Sequence, residues 1–305
     1  MATQTQTQVV KLDTKQPNTG NGQSLTKLAI RRLLHDRLTL LAMGVLLILT
    51  VMSALAPVIS AQLEVSSLRT DSSSTFLPPL SPGHLLGTDD IGRDQLSRLL
   101  YAGQVSLLIA FIAAFLSVTL GVSIGILSGY YGGVIDDVVN WVITTLTSIP
   151  QLFLILIVAA VLSPGPTTLI LVLGLIGWTG TARLVRGETL SLREREFVVG
   201  ARAIGASPLR IMFIHILPNL FSIIVITLAI DIGSLILTEA ALSFLGVGVT
   251  PPTPSWGNML TVSQTYFNLG PWLVVFPGLL IFITVLCLYV IGDGLRDAFD
   301  PTAKD

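Results

Sequence analysis

The stretch REREFVVGARAIGASPLRIMFIHILPN, residues 193–219, is a basic interruption between two apolar segments, each long enough to cross a bilayer. Its internal order is that of two short helices joined at a corner. Glu194 and Glu196 stand where the positive end of a helix dipole favours acids. Gly205 supplies a stop, because glycine accepts the left-handed conformation that ends helices. Ser207 is a good N-cap, and Pro208 suits the first position of the helix that follows. Leu209, Met212, Phe213 and Ile216 recur at helical spacing and give that second helix an apolar stripe. A membrane protein with a structured basic elbow on one face offers a surface to a partner, which points to transport driven by another subunit. The plainer reading is a cytoplasmic loop packed on its own spans.

The rest of the chain makes lipid its main solvent. Hydrophobic residues make up 51% of the 305 residues and charged residues 11%, with a mean hydropathy of +0.79; soluble domains carry about 25% charge. One integral membrane domain with tails accounts for the length. The single cysteine, Cys287, excludes an internal disulfide, a Cys-rich zinc site and a Cys-x-x-Cys redox pair. Ala54-Leu55-Ala56 resembles a signal-peptide cleavage site. However, the polar stretch before it is too long and the apolar run from Leu38 exceeds an h-region, so a retained anchor is expected.

Apolar runs of about 20 residues, the length of a membrane span, fall at Leu38–Ser60, Val105–Tyr130, Val138–Leu162, Thr167–Thr181, Leu220–Leu245 and Trp272–Gly292. Cytoplasmic loops carry the excess of lysine and arginine. With the N-terminus inside, 14 of the 17 basic residues are cytoplasmic: Lys11, Lys15, Lys27, Arg31, Arg32, Arg37, Arg183, Arg186, Arg193, Arg195, Arg202, Arg210, Arg296 and Lys304. Only Arg69, Arg93 and Arg98 remain outside. The expected organisation is a cytoplasmic tail over 1–37, a first span over 38–60, an extracytoplasmic segment over 61–104, a core domain over 105–292 with its coupling loop at 186–217, and a cytoplasmic tail over 293–305. The first twenty-odd residues are too polar to form a core and are expected to be disordered.

Candidate chemistry is sparse. Gly121-Val122-Ser123-Ile124-Gly125 matches the G-x-S-x-G pattern, but that motif belongs on a strand-to-helix turn. Its serine also needs a base, and none of His35, His84 and His215 falls within an expected span. The glycines instead extend a four-residue series, Ser117, Gly121, Gly125 and Gly129, which places small residues on one face for close helix packing. Asp89, Asp90 and Asp94 lack the ligand order of a calcium loop and read as caps and solvated loop. No phosphate-binding G-x-x-x-x-G-K-[ST] occurs, so ATP, if used, is bound by another polypeptide. Asp231 and Glu239 are the carboxylates well inside a span, where a charge must face a cavity or a partner or be protonated. Eight residues apart, they are about 80° apart around a helix, so both can face one interior. Asp231 reads equally as a route-lining group or a structural contact, and Glu239 more readily as structural.

At the elbow the sequence resembles the permease subunits of binding-protein-dependent ABC importers, in the dipeptide/oligopeptide branch and its C-type member. Gly205, Leu217 and Pro218 match the central glycine and closing leucine-proline of that family's cytoplasmic loop. Similar motifs run from GTDDIGRDQLSRLL (87–100) through GYYGG with Asp136 (129–136), IPQL (149–152), EAALSFLGVG (239–248), PPTPSWGNML (251–260) and PWLVVFPGL (271–279) to GDGLRDAFDP (292–301). Val199 and Gly200 depart from the wider family's glutamate and alanine, as do Asn140 and Thr144 from the branch's frequent arginine and aspartate. The resemblance implies an all-α membrane protein, six transmembrane helices with a cytoplasmic coupling elbow, in the inner membrane. It implies a second, non-identical permease, two ATPase subunits that bind ATP and Mg, and an extracytoplasmic binding protein, with no cofactor in this chain. The coupling residues it implies are Glu194, Glu196, Ala201, Arg202, Gly205, Ala206, Ser207, Pro208, Leu209, Leu217 and Pro218. Peptide, nickel and other solute systems share this permease type. Two other classes fit six spans: an ion-coupled secondary transporter using Asp231, and an intramembrane serine protease, which would need a histidine within a span.

Overall fold

The computed structural model describes residues 25–299, without the side chains of residues 25–28 and 262. The expectations for residues 1–24 and for residues 300–305, Lys304 included, lie outside the described residues. Helices account for the architecture. They are α1 (Leu25–Leu33), α2 (Arg37–Ala54), α3 (Ala56–Gln62), α4 (Gln95–Tyr131), α5 (Gly133–Thr147), α6 (Gln151–Val161), α7 (Pro166–Arg193), α8 (Glu196–Ala203), α9 (Pro208–Arg210), α10 (Phe221–Phe244), α11 (Trp256–Thr265) and α12 (Trp272–Phe299). Five helical stretches are long and apolar enough to span a bilayer, and α5 with α6 forms a sixth span bent by 82°.

Four expected spans differ in detail, and proline explains two of the differences. The first, Leu38–Ser60, stops at Ala54 and resumes as α3, because Pro57 has no N–H to continue the ladder. The third, Val138–Leu162, breaks at Ser148-Ile149-Pro150 for the same reason, with Ile149 biased out of the α region by the proline after it. The fourth continues well beyond Thr181, as α7 runs unbroken to Arg193. The second starts early, at Gln95, where the Asp94 carboxylate caps α4 by accepting from the Ser97 N–H at 2.7 Å.

The core of the bundle is the pairing of α4 with α7. A Cβ built on Gly121 would lie 2.6 Å from Thr181, one on Gly125 2.7 Å from the Ala182 carbonyl, and one on Gly129 2.8 Å from the Arg186 carbonyl. Ser117 meets Gly177 at the head of the same seam. The small-residue series therefore brings the two backbones together, and dispersion along that seam holds them. Ser123 lies off this seam and donates to the Thr119 carbonyl at 2.8 Å, so its hydroxyl is engaged by its own helix. On the outer side Trp256 is fully buried, its indole N–H donating to the Leu99 carbonyl at 3.1 Å. That contact ties the loop after α10 to the head of α4.

Successive spans alternate in direction, so α1, the α4–α5 turn, the elbow and the end of α12 share one face. Direct contacts hold that face together: Thr39 packs against Gly294, and Arg193 donates to the Gly129 carbonyl at 3.1 Å.

Candidate functional site

The elbow is a corner and not a free loop. Helix α8 ends in a Schellman arrangement, with Gly205 N–H on the Arg202 carbonyl (3.1 Å) and Ala206 N–H on the Ala201 carbonyl (3.0 Å). Gly205 has φ of +85°, the left-handed value that glycine adopts without strain. Ser207 then caps the next helix by accepting from the Arg210 N–H at 3.4 Å, with Pro208 at its start. That second helix is not short. It passes from α9 through a π-helical turn, Ile211–Ile216, and a 3-10 turn, Leu217–Leu220, straight into α10 as one span, Pro208–Phe244.

Pro218 is the cause of the unusual turns. It has no N–H for an α-type bond, and the wider turn before it lets the Leu217 N–H reach back to the Met212 carbonyl. The Asn219 amide donates to the His215 carbonyl at 2.7 Å and satisfies one loosened group. His215 thus lies in the helix that becomes the fifth span, before Pro218 at its foot. No contact brings it to Ser123 among the described residues.

The apolar stripe divides between two surfaces. Val198, Ala201, Ile211, Met212, Ile216 and Leu220 are buried against Val118, Val122 and Ile126 of α4 and Val185 of α7. Ile204, 88% exposed, and Leu209, 61% exposed, project from either side of Gly205 with Phe197 and Phe213. Among the expected coupling residues, Ala201 is buried and Leu217 half-buried against the bundle. Pro218 sits at the foot of the fifth span, away from the corner. Glu194 caps the end of α7 beside Arg193 (2.9 Å), Glu196 opens α8, and the Arg202 guanidinium lies 5.7 Å from the centre of the Tyr130 ring.

A second polar site lies inside the bundle. A chamber of about 320 Å³ is lined by Ser117 of α4, Thr147 and Gln151 at the α5–α6 break, the Gly177–Leu184 part of α7, and Thr227, Asp231, Ser234 and Leu235 of α10. Non-helical backbone at membrane depth is tolerated where it borders such a cavity. Asp231 accepts one long hydrogen bond, 3.3 Å from Thr181. Glu239 does not line this space, in keeping with its structural reading. It is fully buried, accepting from Ser106 at 2.8 Å and Ser243 at 2.7 Å, while Ser106 also takes the Trp256 N–H at 3.2 Å. Glu239 closes a structural network that anchors the outer loop.

Sequence reasoning missed one cluster on the elbow face. Arg186 of α7 holds Asp136 of α5 through both carboxylate oxygens, Nη2 to Oδ2 at 2.5 Å and Nε to Oδ1. Asp136 also accepts from Ser128 of α4 and from the Asn140 amide at 3.0 Å. The departure at Asn140 is thus absorbed by a local bond. The signal available in the sequence was the acid that follows GYYGG, with no cue to its partner.

Six spans with irregular backbone around a polar chamber, and a rigid corner on one face, define a multi-pass membrane transport component. Residues 121–305 match the family model of the binding-protein-dependent transport system inner membrane component, and residues 24–79 match the N-terminal TM domain of oligopeptide transport permease C; the chain belongs to this permease family. The Salmonella typhimurium oligopeptide transport system permease protein OppC is 38% identical over 281 residues, covering 92% of each chain. The dipeptide transport system permease protein DppC of Alkalihalophilus pseudofirmus is 35% identical over 90% of each. The glutathione transport system permease protein GsiD of Shigella flexneri is 44% identical over 72% of this chain and 73% of its own. Among solved structures, an inward-facing MetNI methionine ABC transporter chain shares the fold, with a TM-score of 0.54 at 20% identity over 66% of this chain and 96% of that one.

Proposed function

We propose that this chain is one membrane-spanning half of an ATP-driven importer for peptides or a related small solute. On this reading a second, non-identical permease completes the route, two ATPase subunits bind ATP and Mg, and an extracytoplasmic binding protein delivers the solute. The chain itself binds no nucleotide and no nucleic acid and carries out no catalysis. It lies in the inner membrane with both termini and the elbow cytoplasmic. The peptide carriers among its relatives support the solute class, and family membership sets aside the secondary-transporter and protease readings.

The observation that carries the coupling role is the exposed pair Ile204 and Leu209 at a corner continuous with the fifth span. An ATPase groove that covers this knob would move the corner, and through the helix from Pro208 the wall of the chamber, as one body. Burying one such side chain is worth about 1.5–3 kcal/mol, roughly tenfold or more in affinity. The test is an Ile204→Asp, Leu209→Asp double variant expressed with its partners. It should reach the membrane at normal level, retain about a tenth or less of the ATPase subunits on purification, and lose ATP-dependent uptake in proportion. Wild-type retention and uptake would remove the elbow from coupling.

A further inference from the structure

Two carboxylates lie in α10, and their surroundings differ in a way that depth alone does not explain. Glu239 has both oxygens engaged by serine hydroxyls in a closed core. A carboxylate kept for structure is satisfied in this manner, since buried polar groups find partners. Asp231 has capacity for about four hydrogen bonds and accepts a single long one, 3.3 Å from Thr181. Its remaining capacity faces the chamber, whose other lining groups are hydroxyls, the Gln151 amide, small or apolar residues, and Arg183. Arg183 is exposed and reaches toward Thr147 at 3.5 Å, so no arginine or lysine is bonded to Asp231 among the described residues. An ionisable group at this depth is tolerated where it faces water or a partner. In surroundings of low dielectric its attraction for a passing cation is stronger than in bulk water.

From this contrast we infer that Asp231 reads the side-chain charge of the solute: its carboxylate holds a positively charged side chain, the ammonium of a lysine or the guanidinium of an arginine, midway across the route. The inference rests on the peptide-importer reading and adds a preference that the route itself imposes. A solute with a cationic side chain gains a partner in the chamber, one with a neutral side chain gains none, and one with an anionic side chain is repelled.

The experiment uses the complete transporter with its binding protein in proteoliposomes and measures initial uptake of Ala-Lys-Ala and Ala-Glu-Ala. The binding protein is the same throughout, so its own preferences cancel when the Lys-to-Glu uptake ratio is compared between variants. Asp231→Asn should lower that ratio by roughly tenfold, the size of one lost charge contact, while Asp231→Glu should keep most of it. Ser234→Lys, one turn away and also lining the chamber, should lower the ratio in the same direction and serves if the Asn variant fails to assemble. Equal slowing of both peptides, or an unmoved ratio in Asp231→Asn or Ser234→Lys, overturns the role of Asp231. No ATP-dependent uptake of either peptide by the wild-type transporter would instead overturn the peptide reading on which it rests.

Discussion

Arg186 is the side chain with the widest reach on the elbow face. Through Asp136 it links α7 to α5, and through the Ser128 hydroxyl on the same carboxylate to α4. Hydrogen bonds to a charged group contribute about 1.5–3 kcal/mol, and the planar two-pronged geometry is one that lysine cannot copy. Arg186→Gln should therefore destabilise the solubilised protein by about 1.5–3 kcal/mol, and Arg186→Lys by an intermediate amount. Thermal unfolding of both, against Asp136→Asn and the double variant, checks this. Additive losses in the double variant would show that the pair acts as two separate residues. This pair was not legible in the sequence, where Arg186 counted only as one more basic residue near the elbow. A contact across fifty positions leaves no local pattern, whereas the caps at Asp94, Ser207 and Gly205 act within a few residues and are visible as residue types.

At the scale of helices, legibility follows whether a pattern lies on one element or between two. The spacing of Ser117, Gly121, Gly125 and Gly129 marks a packing face on α4, but nothing in it names α7 as the partner. The face opposite is made of Gly177, Thr181, Val185 and Thr189, with Ala182 beside them; this four-residue series has only one glycine, is interrupted by Val185, and so is harder to see. Breaks were hidden for a different reason: hydropathy averages over Pro150 and Pro57, while backbone geometry does not. Close approach at the seam gives a direct test. A Cβ on Gly125 would lie 2.7 Å from the Ala182 carbonyl and 2.9 Å from the Val185 Cβ, whereas one on Gly187 of α7 meets nothing within 4 Å. Gly125→Ala should cost about 1–3 kcal/mol by overpacking. Gly187→Ala, in an open helical position, should be neutral or stabilising by about 0.4–1 kcal/mol. Melting midpoints of the two purified variants should move in opposite directions or differ clearly, and equal shifts would deny the seam its role.

For the whole molecule, the alternation of spans fixes which segments share a face, and the basic residues decide which compartment that face meets. Arg183, Arg186, Arg193, Arg195, Arg202 and Arg210 crowd the elbow face, with Arg31, Arg32, Arg37 and Arg296 near the two described ends, while Arg69, Arg93 and Arg98 lie on the other side. An excess of this kind sits in the cytoplasm because basic loops resist translocation. Ser73 and Ser207 sample the two faces, and both side chains are exposed. Cys287 is buried, the only native thiol, and removable as Cys287→Ala. In that background Ser73→Cys should be modified by a membrane-impermeant thiol reagent added to intact cells, and Ser207→Cys only after the membrane is opened. The control is equal labelling of both after solubilisation, which separates a sidedness effect from a loss of reactivity at either site. Labelling of position 207 but not 73 on intact cells would invert the molecule, place the Ile204–Leu209 knob where no ATP is available, and remove the basis for an ATPase docking there.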